Sequence, residues 1–180
     1  MSATQRAVAN EIAAGPRGSV RGPFLPLLHN PELARRLQAV GEYLRYRTGL
    51  DDTLVELAIL VTARRFTCQY EWHAHEKLAR KAGLAGSIID AVAVGRTPAA
   101  MSDDEALVHA FAVEALSRGE PSDASFEAAR SRFGLERVLS LLAICGYYST
   151  LALVLNTARM ALPDGAAPPL QPIAGTGDTP

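Results

Sequence analysis

A chain of 180 residues with 18 basic and 19 acidic side chains and a net charge of −1 is long enough for one core, and offers no bulk attraction to nucleic acid or an anionic membrane. Its two cysteines, Cys68 and Cys145, lie far apart without metal-ligand companions at short spacing, which argues against a disulfide scaffold or zinc knuckle and fits a reducing compartment. Residues 1–22 lack the basic, apolar and small-residue succession of a secretory signal, so a cytoplasmic address is expected.

That same segment, 1–22, has weak periodicity and reads as a flexible N-terminal arm that packs on a neighbour. Asn30-Pro31-Glu32 carries a cap, a proline suited to the first helical position and an acid in the first turn. The helix it opens places Leu33, Leu37, Val40 and Leu44 on its apolar face and stops at Thr48-Gly49. A second helix begins after Asp51-Asp52, turns Leu54, Leu57, Ala58 and Val61 toward the core and carries Glu56 among them. Helix propensity falls at Arg65-Phe66-Thr67, and Thr67 is expected to cap a new helix over 68–82, closed by Gly83. Cys68 then sits at a helix N-terminus, where the dipole lowers a thiol pKa.

A short helix over 85–94 breaks at Gly95 and Pro98. Ser102 and Glu105 have capping-box spacing and start a helix over 103–117. After a turn at Gly119-Glu120-Pro121 come a helix over 123–133, a stop at Gly134 and a long apolar helix over 135–162. Residues 138–158 carry no formal charge and are long enough to span a bilayer. Polar residues from Ser140 to Asn156 interrupt them, and the segment reads as a buried core or subunit-interface helix with no membrane partner. From residue 163 onward Pro and Gly prevail and a disordered tail is expected. With no strand-like alternation and no repeat, the sequence describes an all-α single domain over 23–162.

The chemistry concentrates in Cys68-Gln69-Tyr70-Glu71-Trp72-His73-Ala74-His75. At ~100° per residue, Cys68, Glu71, Trp72 and His75 share one stripe of a helix, and Trp72 inside that stripe implies burial. A thiol, a carboxyl and an imidazole so placed can converge on one pocket. Each also has a plainer reading: Glu71 as an ion pair with Arg64 or Arg65, Cys68 as small packing, Trp72 as core. His73 faces the other side of the helix and is expected at the surface; His29 and His109 have no companion acids and read as structural. Tyr147, Tyr148 and Asn156 are polar groups in an apolar helix that need buried partners, a substrate carboxylate among them. Glu71 and His75 share a face, but His73 and Glu76 are rotated away, so two ligands remain where three are usual and no metal is expected. The reading calls for no cofactor.

The run from Glu56-Leu57-Ala58-Ile59-Leu60 through Tyr70-Glu71-Trp72-His73-Ala74-His75 to Ala82-Gly83-Leu84 resembles the carboxymuconolactone decarboxylase and alkylhydroperoxidase D-like superfamily. Its decarboxylase-type branch is the nearer likeness, because Glu71 stands where peroxidase members carry the second of two cysteines. The resemblance implies a helical domain, and the excess of apolar helical surface for one small domain predicts a homo-oligomer joined through the long apolar helix and the N-terminal arm. The resemblance also implies catalysis by His75, Glu71 and Glu56 with Cys68 beside them; Trp72 as a pocket wall and Tyr147 and Asn156 as buried polar groups are the candidates for substrate contact. The expected activity is lyase or isomerase chemistry by general acid and base on a small unsaturated carboxylate or lactone from aromatic breakdown. A one-cysteine thiol antioxidant centred on Cys68 and a non-catalytic small-molecule-binding module are the alternatives.

Overall fold

Among the described residues nine α-helices follow in chain order: α1 Ala3–Ala14, α2 Phe24–Leu27, α3 Pro31–Tyr46, α4 Asp52–Arg65, α5 Gln69–Ala82, α6 Gly86–Ala93, α7 Asp103–Arg118, α8 Asp123–Phe133 and α9 Leu135–Thr157. The computed structural model describes residues 1–16 and 18–172, and no strand occurs among them.

Helix α4 is the axis of the fold. Every residue from Leu54 to Arg64 is buried, because α5, α6, α7 and α9 all pack against it. A helix covered on all sides needs apolar residues all round, which is how LVELAILVTA reads. Its polar members are individually accommodated: Thr62 Oγ1 donates to the Ala58 carbonyl at 2.8 Å. The Arg64 guanidinium donates to the carbonyls of Ala93 at 3.1 Å and Gln171 at 2.9 Å. Glu56 is taken up by α5, as described below.

Helix α9 has the length and hydropathy of a membrane span, yet Val138, Leu141, Ile144, Tyr148 and Leu151 lie in the core against α4, α7, α8 and α3. The outer side of α9 is also apolar, with Leu135, Leu139 and Leu153 more than half exposed. Gly83 closes α5 in the left-handed region, at φ 101°. The Ser102–Glu105 capping box opens α7 as the spacing predicts.

Several expectations are corrected. Residues 1–22 are not simply a flexible arm: a Ser2–Gln5 capping box starts α1, whose Val8 and Ile12 are buried and which packs on α3. Two anchors, reinforced by Arg35 bridging to Glu11 at 2.8 Å, replace the continuous stripe that periodicity detects. The buried side of α3 is Ala34, Gly41 and Leu44; Leu33 and Val40 point outward. Small residues give that side its close approach, and hydrophobicity patterns underweight them. Thr67 is not a cap; it takes a left-handed φ of 46° and accepts from Arg64 Nη2 at 3.0 Å, while Cys68 holds the cap position. The long helix stops at Thr157 instead of 162.

The tail expected to be disordered from residue 163 follows a defined path to residue 172. A 3-10 turn spans Pro163–Gly165, and Leu170 is buried. The Gln69 side-chain amide donates to the Leu170 carbonyl at 2.8 Å and accepts its N–H at 2.9 Å, the two bonds a neighbouring strand would make. The remainder of that expectation, 173–180, lies outside the described residues.

Candidate functional site

The corner between α4 and α5 builds the site. The Cys68 N–H donates to the Ala63 carbonyl at 2.9 Å, and the left-handed Thr67 turns the chain so that α5 runs back along α4. Glu71, Trp72, His75 and Ala79 form the buried face of α5, the stripe that helical spacing dictates. His75 meets Glu56 there: its Nδ1 lies 2.7 Å from Glu56 Oε2, with both side chains buried. A carboxylate can only accept, so the shared proton sits on Nδ1 and Nε2 is the ring nitrogen left for a ligand.

The imidazole edge also meets the Tyr148 ring, with centroids 5.0 Å apart and planes at 86°. Tyr148 in turn stands edge-on to Tyr147 at 5.2 Å. Burial pushes the Tyr148 phenol well above its usual pKa, against the opposing pull of the Arg45 charge, so it stays a hydrogen-bond donor. Glu71 is the outlier of the group. Both of its carboxyl oxygens are buried without a hydrogen-bond partner, and burial pushes its pKa well above the usual carboxylate range. A proton is what makes such a group tolerable there.

Glu71, His75 and Tyr148 line a cavity of about 340 Å³. Leu78, Leu151 and Leu155 supply its apolar wall, while Arg21, Arg45 and Lys77 bring cationic groups to it. Glu71 is the sole acid on its lining among the described residues. With that carboxyl held neutral, the cavity favours an anion. Its size and mixed lining suit a small molecule. Gly22, at φ 58°, brings the segment bearing Arg21 against Tyr70; a Cβ at Gly22 would stand 3.0 Å from Tyr70 Cε1.

Of the residues singled out in the sequence, His75 and Glu71 are on the cavity wall and Glu56 lies directly behind His75. Four others are elsewhere. Cys68 is fully buried with Ala152 and Leu155 and does not line the cavity. Burial pushes the Cys68 thiol up to about 12, so desolvation overrides the helix dipole that was expected to lower it. Trp72 is a core side chain at 1 % exposure, and Tyr147 is packed behind Tyr148. Asn156 Nδ2 donates to the Phe66 carbonyl at 2.9 Å, tying the end of α9 to the α4–α5 corner.

His73 is at the surface as expected, on the cavity rim with Lys77 Nζ 3.0 Å from its Nε2, and one reading of a neighbour changes. Glu71 forms no ion pair with Arg64 or Arg65; the Arg64 Nη groups are taken by Ala93, Gln171 and Thr67. The sequence reading passed over Arg21, Arg45 and Lys77 altogether and ranked Tyr148 no higher than Tyr147. Lys77 could have been found, lying one helical turn beyond His73; Arg21 and Arg45 come from distant segments with no spacing signature. Among the described residues no three His, Cys, Asp or Glu side chains converge as metal ligands.

Chemically, the arrangement juxtaposes an imidazole with one free nitrogen, a carboxylate fixing its tautomer, and a second carboxyl held protonated. Groups in opposite protonation states beside one cavity are the equipment of proton transfer. Residues 31–115, which hold Glu56, Glu71 and His75, match the family model described as the carboxymuconolactone decarboxylase family. No curated protein and no solved structure matches the chain.

Proposed function

This chain belongs, through residues 31–115, to the carboxymuconolactone decarboxylase family, and from that premise we propose that it is a lyase or isomerase acting by general acid and base on a small unsaturated carboxylate or lactone. The observation that carries the reading is the buried Glu56–His75 pair, 2.7 Å apart, on the wall of a cation-lined cavity that also holds the partnerless carboxyl of Glu71.

Arg45 and Arg21 hold a substrate carboxylate, and the apolar wall takes the carbon skeleton. In a decarboxylation, the bond between carbon and the departing carboxylate breaks, its electron pair enters the conjugated system, and carbon dioxide leaves. A proton is then delivered to the distant carbon. His75 Nε2 moves that proton, Glu56 stabilises the imidazolium formed in the exchange, and Glu71 serves as the proton store beneath the cavity wall. An isomerisation uses the same groups, with a proton removed from one carbon and returned to another. The thiol-antioxidant alternative has no support in this geometry, since Cys68 is fully buried and strongly disfavours its thiolate.

The protein acts in the cytoplasm as a homo-oligomer joined through the outer face of α9. The more than half-exposed Leu135, Leu139 and Leu153 support assembly, and a monomer in sedimentation velocity would refute it. The reaction is tested by a panel of unsaturated acids and lactones followed by loss of ultraviolet absorbance. Turnover by the wild type that falls at least a hundredfold in His75→Ala is expected. A pocket that binds panel members and transforms none indicates a binding module instead.

A further inference from the structure

A second cavity, of about 190 Å³, lies between the last turn of α4, the loop after α6 and the C-terminal half of α7, and shares no residue with the first. Val61, Val92 and Leu116 give it an apolar floor, and Arg65, Arg96 and His109 stand on its polar side. Among the described residues no Asp or Glu lines it. Arg65 and Arg96 are exposed and form no ion pair among the described residues. Arg64 adds a third guanidinium, itself 4 % exposed, with its Nη groups committed to carbonyl and hydroxyl oxygens and, among the described residues, Nε buried without a partner and no carboxylate opposite. A buried cation without a counter-ion is costly, and an anion beside it offsets that cost.

His109 is the second, independent observation. It is 7 % exposed, lines this cavity and makes no hydrogen bond among the described residues. Its ring nitrogens are not sealed in the core but open to the cavity without a partner among the described residues, so the N–H faces a place where an acceptor can enter. Burial holds its imidazole below the usual histidine range, leaving it neutral, with one nitrogen donating and one accepting.

We propose that this cavity binds a small organic carboxylate with an apolar body, its carboxylate held by Arg65, Arg96 and the His109 N–H and its hydrocarbon part resting on Val61, Val92 and Leu116. An inorganic anion engages the cations alone and leaves the apolar floor uncovered. The site is separate from the catalytic reading and stands whether or not that reading does.

The test titrates the full-length protein with benzoate and, separately, inorganic phosphate, while following the histidine ring signals by NMR, with His109 assigned by comparison with His109→Phe. Benzoate is expected to move the His109 signal saturably, with phosphate at least tenfold weaker. Arg65→Gln/Arg96→Gln, changing two exposed side chains, should weaken the benzoate response at least tenfold, whereas Arg45→Gln in the first cavity should leave it unchanged. A stationary His109 signal at saturating benzoate, including one where only His75 moves, overturns the proposal. So does an undiminished response in the double variant, or phosphate binding as tightly as benzoate.

Discussion

Replacing Glu71 by Gln isolates the energetic signature of the site. In the folded protein burial holds the Glu71 carboxyl protonated well above its ordinary value of 4.5; in the unfolded chain it ionises near that value. Below the unfolded pKa both states carry the proton and the group adds no pH dependence. As pH rises above it, the unfolded chain releases a proton that the fold retains, so stability falls by about 1.4 kcal/mol per pH unit until the folded group also ionises. Gln cannot titrate, and Glu71→Gln should lose that slope. Its amide also brings buried donors that need partners, at a cost of about 1–3 kcal/mol, so the informative quantity is the slope and not the stability at any one pH. Urea unfolding of wild type and Glu71→Gln at intervals from about pH 5 to about pH 7 measures it. The difference between the two stabilities should shift in favour of the variant with each step upward. Parallel profiles would refute the reasoning, because they require Glu71 to be ionised or solvated in the folded protein.

Three further outcomes follow from other parts of the site. Glu56→Ala leaves the His75 Nδ1–H without its acceptor in a buried setting and should destabilise the fold by about 1–3 kcal/mol, read by chemical denaturation; an unchanged midpoint would show the 2.7 Å contact to be unimportant. At about pH 8, a Cys68 thiol with a pKa of about 12 is thiolate in roughly one molecule in ten thousand and is sealed from solvent, so a maleimide should label it only after unfolding. Rapid labelling of native protein would contradict that burial. Gly22→Ala places a Cβ at a left-handed φ and 3.0 Å from Tyr70 Cε1, and should lower stability by about 1 kcal/mol or more in thermal unfolding; a neutral or stabilising result would mean that this close approach does not exist in solution.

What the sequence revealed and what it concealed divide along the range of the signal. The limits of α8 and the stops at Gly83 and Gly134 depend on neighbouring residues, and Asn30 does accept from the Leu33 N–H as a cap should. The Glu71–Trp72–His75 stripe is equally local, being a property of one helix's periodicity. Glu56 lies 19 positions before His75; the family likeness brought it into consideration, and only the α4–α5 corner shows the contact. Arg45 from α3 and Tyr148 from α9 reach the cavity through the way those helices pack, which no linear spacing records. The same limit explains Tyr147 and Tyr148: adjacent on α9, they differ by a rotation of ~100°, and packing alone decides which one meets His75. Cys68 shows a local rule overruled, since the dipole argument is correct for an exposed helix start and desolvation defeats it in a sealed one.

The central claim is proton transfer at a carbon atom by His75, supported by Glu56 and Glu71. It is tested most directly by incubating the wild type, His75→Ala and Cys68→Ser in deuterium oxide with the panel of unsaturated carboxylates and lactones, and measuring deuterium at substrate or product carbon by NMR. Deuterium incorporated by the wild type and by Cys68→Ser, and absent with His75→Ala, is the predicted result. Incorporation that survives in His75→Ala and vanishes in Cys68→Ser would contradict it.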